Sequence, residues 1–249
     1  MSHPIALVTG ATSGIGKATA KRLAAQGAIV TLTGRRVAEG DQVVEEIKRA
    51  GGQAMFIASD IRDEASVQRL VETVVARHGR LDWLAHSAGA ALEAKRFAES
   101  DSGVFREMVD INLIGTYNIM KHAIRQMQTQ SRGAIVNVSS IAGVKGSPTF
   151  GAYAATKFGV IGMTKTAALE YAAHGIRINA VAPGAIRTEP VEQLFSAGQL
   201  DEASLAAAHP LQRIGEPEEV AAGIAWLLSD ASAFVTGHVL SIDGGLHAL

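Results

Sequence analysis

The chain has 249 residues, 47% of them hydrophobic and 19% charged, which is enough apolar material for a large buried core and too little charge for extended disorder. A formal net charge of −1 offers no attraction to nucleic acid or to an anionic membrane, so a small molecule is the expected partner. The lack of any cysteine removes disulfides, thiolate zinc sites and cysteine nucleophiles, and no dense His/Asp/Glu cluster suggests a metal. Met1 leads directly into Ile5-Ala6-Leu7-Val8 with no basic or long apolar segment ahead of it, and no later run reaches membrane-spanning length. The expectation is a soluble, cytoplasmic protein.

Short β-branched runs alternate with stretches of helical periodicity, the pattern of βαβ units feeding a parallel sheet. Strands are expected at residues 5–9, 29–33, 54–58, 83–86, 134–139, 178–181 and 239–243. Most are apolar throughout, as strands covered on both faces are. Helical spacing marks 15–25, 43–50 and 67–77, with Asp41 and Asp63 as caps or first-turn acids and Gly27, Gly51 and Gly79 as stops. With no linker or repeat, the expectation is one domain over 1–249: α/β, a Rossmann-type doubly wound parallel sheet of about seven strands with helices on both faces. Residues 183–217 are broken by Pro190, Gly198, Pro210 and Gly215, and a substrate lid is expected over 185–216.

The first strand runs into Thr9-Gly10-Ala11-Thr12-Ser13-Gly14-Ile15-Gly16 and a helix follows at once. Gly10 permits a tight turn, Gly14 lets backbone N–H groups approach a pyrophosphate, and Gly16 lets the helix pack close to the strand. The helix N-terminus adds the favourable end of its dipole. At the tip of the second strand, an acidic residue would accept the adenosine ribose hydroxyls and repel a 2′-phosphate. Gly34-Arg35-Arg36 stands there instead. Gly34 leaves room and Arg35 offers a charge-assisted pair, so NADP(H) is the expected cofactor, with NAD(H) as the alternative.

Tyr153 and Lys157 are four residues apart, hence one turn apart on one helix face. A tyrosine that exchanges protons near neutrality needs a nearby cation to favour its phenolate, and Lys157 is placed to supply it.

With its glycine spacing of three residues then one, ending in Gly14-Ile15-Gly16, and its Tyr153-Ala-Ala-Thr-Lys157 run, the chain resembles the short-chain dehydrogenase/reductase family along essentially its whole length. The resemblance implies ketone–alcohol interconversion with Tyr153 as the acid/base. It implies Ser140, the second serine of Ile-Val-Asn-Val-Ser-Ser, as the group that polarises the substrate oxygen. It also implies Asn112, mid-helix in Asp-Ile-Asn-Leu-Ile-Gly, as the holder of a water linking Lys157 to solvent.

For the cofactor, the resemblance adds Asp60 and Ile61 beside the adenine, and Tyr153 and Lys157 beside the nicotinamide end. Pro183, Gly184, Ile186 and Thr188 follow around the carboxamide. Thr12, Ser13 and Ile15 join the glycines of the first loop. Ser87, Ala88 and Gly89 form the fourth-strand loop, where His86-Ser87-Ala88-Gly89 replaces the family's usual Asn-Asn-Ala-Gly. Ser87 reaches less far than an asparagine amide, which implies some loss of local stability, and His86 reads as packed rather than as a base.

The substrate cavity implied by the family is mainly apolar. It is expected from Ala90, Ala91, Leu92, Ala142, Val144, Pro148, Phe150, Val191, Leu194 and Phe195, with Glu93, Lys145 and His209 as polar exceptions, and suits a small apolar ketone or alcohol. Helical segments 104–130 and 153–173 resemble those that build the family's dimer faces, and a homotetramer is expected. Rival readings are a 3-oxoacyl-(acyl-carrier-protein) reductase and a catalytically silent NADP(H)-binding sensor. An enoyl reductase fits less well, because such relatives usually separate tyrosine and lysine further.

Overall fold

The computed structural model describes residues 3–249; the reading of Met1 as the start of a leaderless chain falls outside them. In chain order come β1 (Ile5–Thr9), α1 (Gly14–Ala25), β2 (Ile29–Gly34), α2 (Val37–Arg49), β3 (Gln53–Ala58), α3 (Glu64–His78) and β4 (Trp83–His86). Next are α4 (Ser102–Met108), a π turn (Val109–Ile114), α5 (Gly115–Gln130), β5 (Gly133–Val138), α6 (Gly151–Tyr171) and β6 (Ile176–Pro183). The chain ends with α7 (Glu189–Ser196), α8 (Glu202–Ala207), α9 (Pro217–Leu228) and β7 (Val239–Ile242).

The seven strands form one parallel sheet in the order β3-β2-β1-β4-β5-β6-β7. Period-two alternation divides each strand between the two faces. Ala6 and Val8 of β1 join Leu23, Val44, Ile47, Ile224 and Leu227 in the layer beneath α1, α2 and α9. Ile5 and Leu7 join Leu70, Val74, Ile119, Met127 and Ala167 beneath α3, α5 and α6. The strand order reverses between β1 and β4, and a crevice opens at such a switch point beyond the C-terminal strand ends.

All seven expected strands are present, β1 and β4 at the expected bounds and the others shifted by one or two residues at one or both ends; β6 is longer at both ends. Asp63 caps α3 by accepting from the Ala65 N–H at 2.9 Å. Asp41 is no cap: α2 starts at Val37 behind Arg36 and Asp41 lies inside it. The expected long helix over 104–130 is divided by the π turn, in which Asn112 is buried. Among the described residues, no helix is long and apolar enough to cross a membrane, and no group of three or more His, Asp or Glu is arranged to hold a metal ion.

Candidate active site

At the switch point lies a cleft of about 750 Å³ lined from the glycine loop to Tyr153. Its walls include Gly10, Thr12, Ser13, Gly14, Ile15, Gly34, Arg35, Arg36, Asp60, Ile61, Ser87, Ala88, Gly89, Pro183, Gly184, Ile186 and Thr188. The structure therefore brings the sequence-predicted cofactor residues into one concavity, save Gly16. That residue sits behind the loop, where an added Cβ would meet the Gly10 carbonyl oxygen at 2.2 Å, so it serves the close packing of α1 on β1. Gly10 has φ +62°, a left-handed turn that glycine adopts without strain.

The loop already offers an N–H to an anion. Gly14 N–H donates to a carboxylate oxygen of Glu189 at 2.7 Å, at the positive end of α1. Arg36 lies across the same loop, its Nη2 donating to Thr12 Oγ1 at 2.8 Å and Ser13 Oγ at 2.9 Å. A side chain from the β2 tip thus meets two loop hydroxyls in one polar corner, next to Arg35. Asp60 faces the same end and is engaged by Arg62, whose Nε lies 3.0 Å from both carboxylate oxygens. Those hydrogen bonds from Arg62 hold the Asp60 carboxyl below its usual range against the opposing effect of burial.

At the other end of the cleft stand Tyr153, Lys157 and Ser140. Tyr153 and Lys157 occupy successive turns of α6, with Lys157 Nζ 5.6 Å from the centroid of the phenol ring. Burial leaves the ammonium poorly solvated and lowers the Lys157 pKa to about 8. Nζ donates to the Val138 carbonyl at 2.9 Å. The expected lowering of Tyr153 by this cation is not what the site produces. Burial pushes the phenol up, and a hydrogen bond with Ser140 offsets only part of that. Removing a phenolate from water outweighs the hydrogen bond that Ser140 offers it.

Ser140 follows β5 in extended backbone and caps the short turn Ile141–Gly143, its hydroxyl accepting from the Ala142 N–H at 3.1 Å. Ser139 turns the other way and donates to the Lys157 carbonyl at 3.0 Å. The adjacent serines thus separate: Ser140 joins Tyr153, and Ser139 fastens α6 to the sheet.

Asn112 does not line the cleft. Its Oδ1 accepts from Ala90 N–H at 2.8 Å, and its Nδ2 donates to Ala90 O at 2.8 Å and Thr156 Oγ1 at 3.0 Å. Thr156 in turn donates to the Tyr153 carbonyl at 2.7 Å. Asn112 therefore joins the loop after β4 to α6, the helix that carries Tyr153 and Lys157. Sequence reasoning missed Thr156 and the Val138 carbonyl. Spacing could have flagged Thr156, which lies between Tyr153 and Lys157.

Of the expected apolar lining, Ala90, Ala91, Phe150 and Val191 face the cleft, joined by Ile111, Pro190 and Gln193. Phe150 packs edge-on to Tyr153, ring centroids 6.3 Å apart. Leu92, Ala142, Val144, Pro148, Leu194 and Phe195 are not part of the wall: Leu92, Val144 and Pro148 lie in loops whose backbone turns periodicity does not encode, Ala142 is buried in the short turn after Ser140, and Leu194 and Phe195 lie on α7 away from the wall.

The three polar exceptions are engaged elsewhere. Glu93 pairs with Lys95 at 3.4 Å, and Lys145 donates to the Leu246 carbonyl at 3.0 Å. His209 is buried behind the Pro183-Gly184-Ala185 turn. Its Nδ1–H donates to Leu205 O at 2.7 Å and its Nε2 accepts from Ala185 N–H at 3.1 Å. Residues 185–216 carry α7 and α8, neither with a buried residue. Arg187 ties this segment together through Glu192 at 2.7 Å, Glu216 at 3.2 Å, and Glu202.

A family profile described as enoyl-(acyl carrier protein) reductase matches residues 10–247. The chain is 44% identical to cis-4-hydroxycyclohexanecarboxylate dehydrogenase of Sinomonas cyclohexanicum, over 98% of this chain and 97% of that protein. It is 42% identical to a 3-oxoacyl-(acyl-carrier-protein) reductase of Thermotoga maritima, over 97% of each. Among solved structures, ElxO with NADP bound superposes with a TM-score of 0.94 at 38% identity, over 100% of both chains.

Proposed function

The chain belongs to the short-chain dehydrogenase/reductase family and is an oxidoreductase acting on CH–OH groups, and we propose that it interconverts an uncharged cyclic ketone and its secondary alcohol with NADP(H). The observation that carries this reading is the meeting of Ser140, Tyr153 and Lys157 at one end of a cleft whose other end is the glycine loop. The residues present suit a nicotinamide dinucleotide. Gly14 N–H already holds an anionic oxygen, and Arg36, Thr12 and Ser13 form a donor-rich corner beside Gly34, fit for a 2′-phosphate.

Bound there, the nicotinamide supplies or accepts the hydride. Ser140 and Tyr153 hydrogen-bond the substrate oxygen and orient the carbonyl carbon toward the cofactor end of the cleft. In reduction, Tyr153 gives its phenolic proton to the oxygen as negative charge builds on it. The phenol, raised further above its ordinary pKa of 10 by burial, carries its proton at neutral pH and so has one to give. Alcohol oxidation needs the reverse transfer, so its rate is expected to rise with pH. Lys157, charged below a pKa of about 8, stabilises the phenolate left by proton donation. Asn112 and Thr156 fix α6 so that these groups keep their positions.

Phe150 stands beside Tyr153, and Ala90, Ala91, Ile111, Val191 and Gln193 add uncharged lining to the same cleft, a set that suits a compact ring. The relative acting on a hydroxycyclohexane acid supports a six-membered ring; the uncharged wall favours a neutral one. Residues 185–216 act as the lid. Exposed apolar groups on α5 and α6, Tyr117, Phe158 and Leu169, fit a self-association surface of a tetramer.

The 42% identical acyl-carrier reductase supports a second reading. A panel of cyclohexanones and a 3-oxoacyl thioester, assayed with NADPH and NADH, separates the two. Efficient NADPH-dependent reduction of the ring ketones supports the proposal, and a preference for the thioester replaces it. Arg36→Ala is expected to weaken NADPH about tenfold while sparing NADH; equal losses would remove the 2′-phosphate assignment.

A further inference from the structure

A run of hydrogen bonds between the cofactor loop and the π turn has no part in the chemistry above. His86 closes β4 at 1% exposure. Its Nδ1 lies 2.7 Å from Thr9 Oγ1 and its Nε2 lies 2.9 Å from Thr116 Oγ1. Thr116 Oγ1 also donates to the Asn112 carbonyl at 2.6 Å. A hydroxyl has one proton, so toward His86 that oxygen accepts, and Nε2 is the protonated nitrogen. Nδ1 then accepts, and Thr9 donates to it. The Thr9 oxygen keeps its acceptor capacity for the N–H groups of Ser87 and Ala88, both at 3.2 Å. Every bond in the run therefore has a fixed direction, from the loop N–H groups through Thr9, His86 and Thr116 to the Asn112 carbonyl. Burial, with the nearby charge of Lys157 adding to it, holds the His86 pKa down to about 3, so the ring stays neutral and the directions persist.

Both ends of the run touch working parts. At one end, Thr9 fixes the Ser87-Ala88-Gly89 loop, which walls the cofactor cleft. At the other, the Thr116 hydroxyl occupies the carbonyl four residues back, a bond that competes with the helical ladder and bends helices. It falls where α4 and α5 are joined by the π turn, and that turn aims the Asn112 amide at Ala90 and Thr156. The ends also meet each other, since a Cβ on Gly89 would lie 3.1 Å from both Asn112 Oδ1 and Lys157 Nζ.

We propose that His86 is a positioning residue with two separable tasks: through Nδ1 and Thr9 it sets the cofactor loop, and through Nε2 and Thr116 it sets the π turn that presents Asn112 to the catalytic helix. The inference rests on the oxidoreductase reading above.

Two substitutions divide the tasks. The amide oxygen of asparagine lies near the Nδ1 position and the amide nitrogen of glutamine near the Nε2 position. His86→Asn keeps an acceptor for Thr9 and loses the donor to Thr116; His86→Gln does the reverse. NADPH affinity is measured by fluorescence titration and kcat by ring-ketone reduction. His86→Asn is expected to leave the NADPH Kd within about twofold of the parent and to lower kcat about tenfold or more, as a small misplacement of reacting groups does. His86→Gln is expected to raise the Kd about fivefold with the smaller loss in kcat.

Parallel changes in both variants, or unaltered kinetics with only a lower Tm, would overturn the proposal. If the His86 variants do not fold, Thr116→Val interrupts the π-turn branch alone. A lower kcat at constant Kd supports the assignment, and an unchanged kcat overturns it. If the parent binds NADPH but reduces no ketone, the functional reading fails by itself, and the Kd contrast between the two His86 variants still decides the loop-setting task.

Discussion

The two ends of the substrate cleft are held by opposite means. Around Tyr153, positions are set by buried, mostly neutral hydrogen bonds: Asn112 to Ala90 and Thr156, Ser139 to the Lys157 carbonyl, and His86 to Thr9 and Thr116. Across α7 and α8, which bury no residue, positions are set by exposed charges, with Arg187 shared among Glu192, Glu202 and Glu216, while Ile186, His209 and Ile214 anchor the two ends of the segment in buried positions. Buried bonds in low dielectric are costly to break and rigidify what they join. Exposed ion pairs are weak and screened by salt. The difference suits a site whose chemistry needs fixed geometry and whose entrance has to open.

The buried Lys157 charge on the rigid side gives the largest effect on stability. Folding moves the Lys157 pKa from 10.5 to about 8, so the unfolded chain binds this proton more tightly. The resulting penalty develops as pH falls from 10.5 to 8 and is full below 8, where it amounts to about 3 kcal/mol. Lys157→Met is expected to lower kcat at least about a hundredfold while raising Tm at pH 7 by several degrees, roughly 2–4 °C per kcal/mol. The gain in Tm should vanish above pH 10.5. A lower Tm at pH 7 would show that the lysine stabilises the fold rather than straining it.

His86 gives the next effect. Its folded pKa of about 3 lies below the ordinary 6.5, so its neutral ring contributes stability that is complete above pH 6.5. That contribution is lost as pH falls toward 3, at about 1.4 kcal/mol per pH unit. Chemical denaturation of the parent between pH 6.5 and 4.5 should show this slope, and His86→Asn should flatten it. A slope unchanged by the substitution would place the acid sensitivity elsewhere.

Around residues 185–216 the effects are smaller. Glu189 holds the Gly14 N–H that a pyrophosphate needs. Glu189→Gln is therefore expected to tighten NADPH about two- to fivefold in a direct titration, by removing a like charge from an anion seat; weaker binding would mean that the carboxylate supports the closed complex. Arg187→Ala should leave Tm nearly unchanged and shift the substrate KM only about threefold, with the parent's KM drifting the same way at high salt. A large loss of Tm would show that this segment belongs to the folded core.

Legibility in the sequence divides along the same line. The Gly10, Gly14 and Gly16 spacing and the four-residue step from Tyr153 to Lys157 are local, so chain order alone conveys their geometry. The alternation of apolar runs conveyed the sheet, because strands covered on both faces leave few other patterns. The partners of His86 were not legible, lying 77 and 30 residues away along the chain: Thr9 meets it through the sheet register, and Thr116 through the packing of α5 on the sheet. The upward push on Tyr153 escaped for a related reason: a cation one turn away is visible in the sequence, whereas the burial that raises the phenol is a property of the packed site. Leu92, Val144 and Pro148 missed the wall because loop side chains are aimed by turns such as Thr149, at φ +69°, which periodicity does not announce, and Leu194 and Phe195 missed it because the placement of α7 is not local information.

The most direct test of the central claim is Tyr153→Phe, assayed for NADPH-dependent reduction of a cyclohexanone alongside a titration of NADPH binding. The account predicts a fall in kcat of about a thousandfold or more with cofactor affinity and Tm close to the parent's. Turnover within about tenfold of the parent would contradict it, since the proton would then have another source.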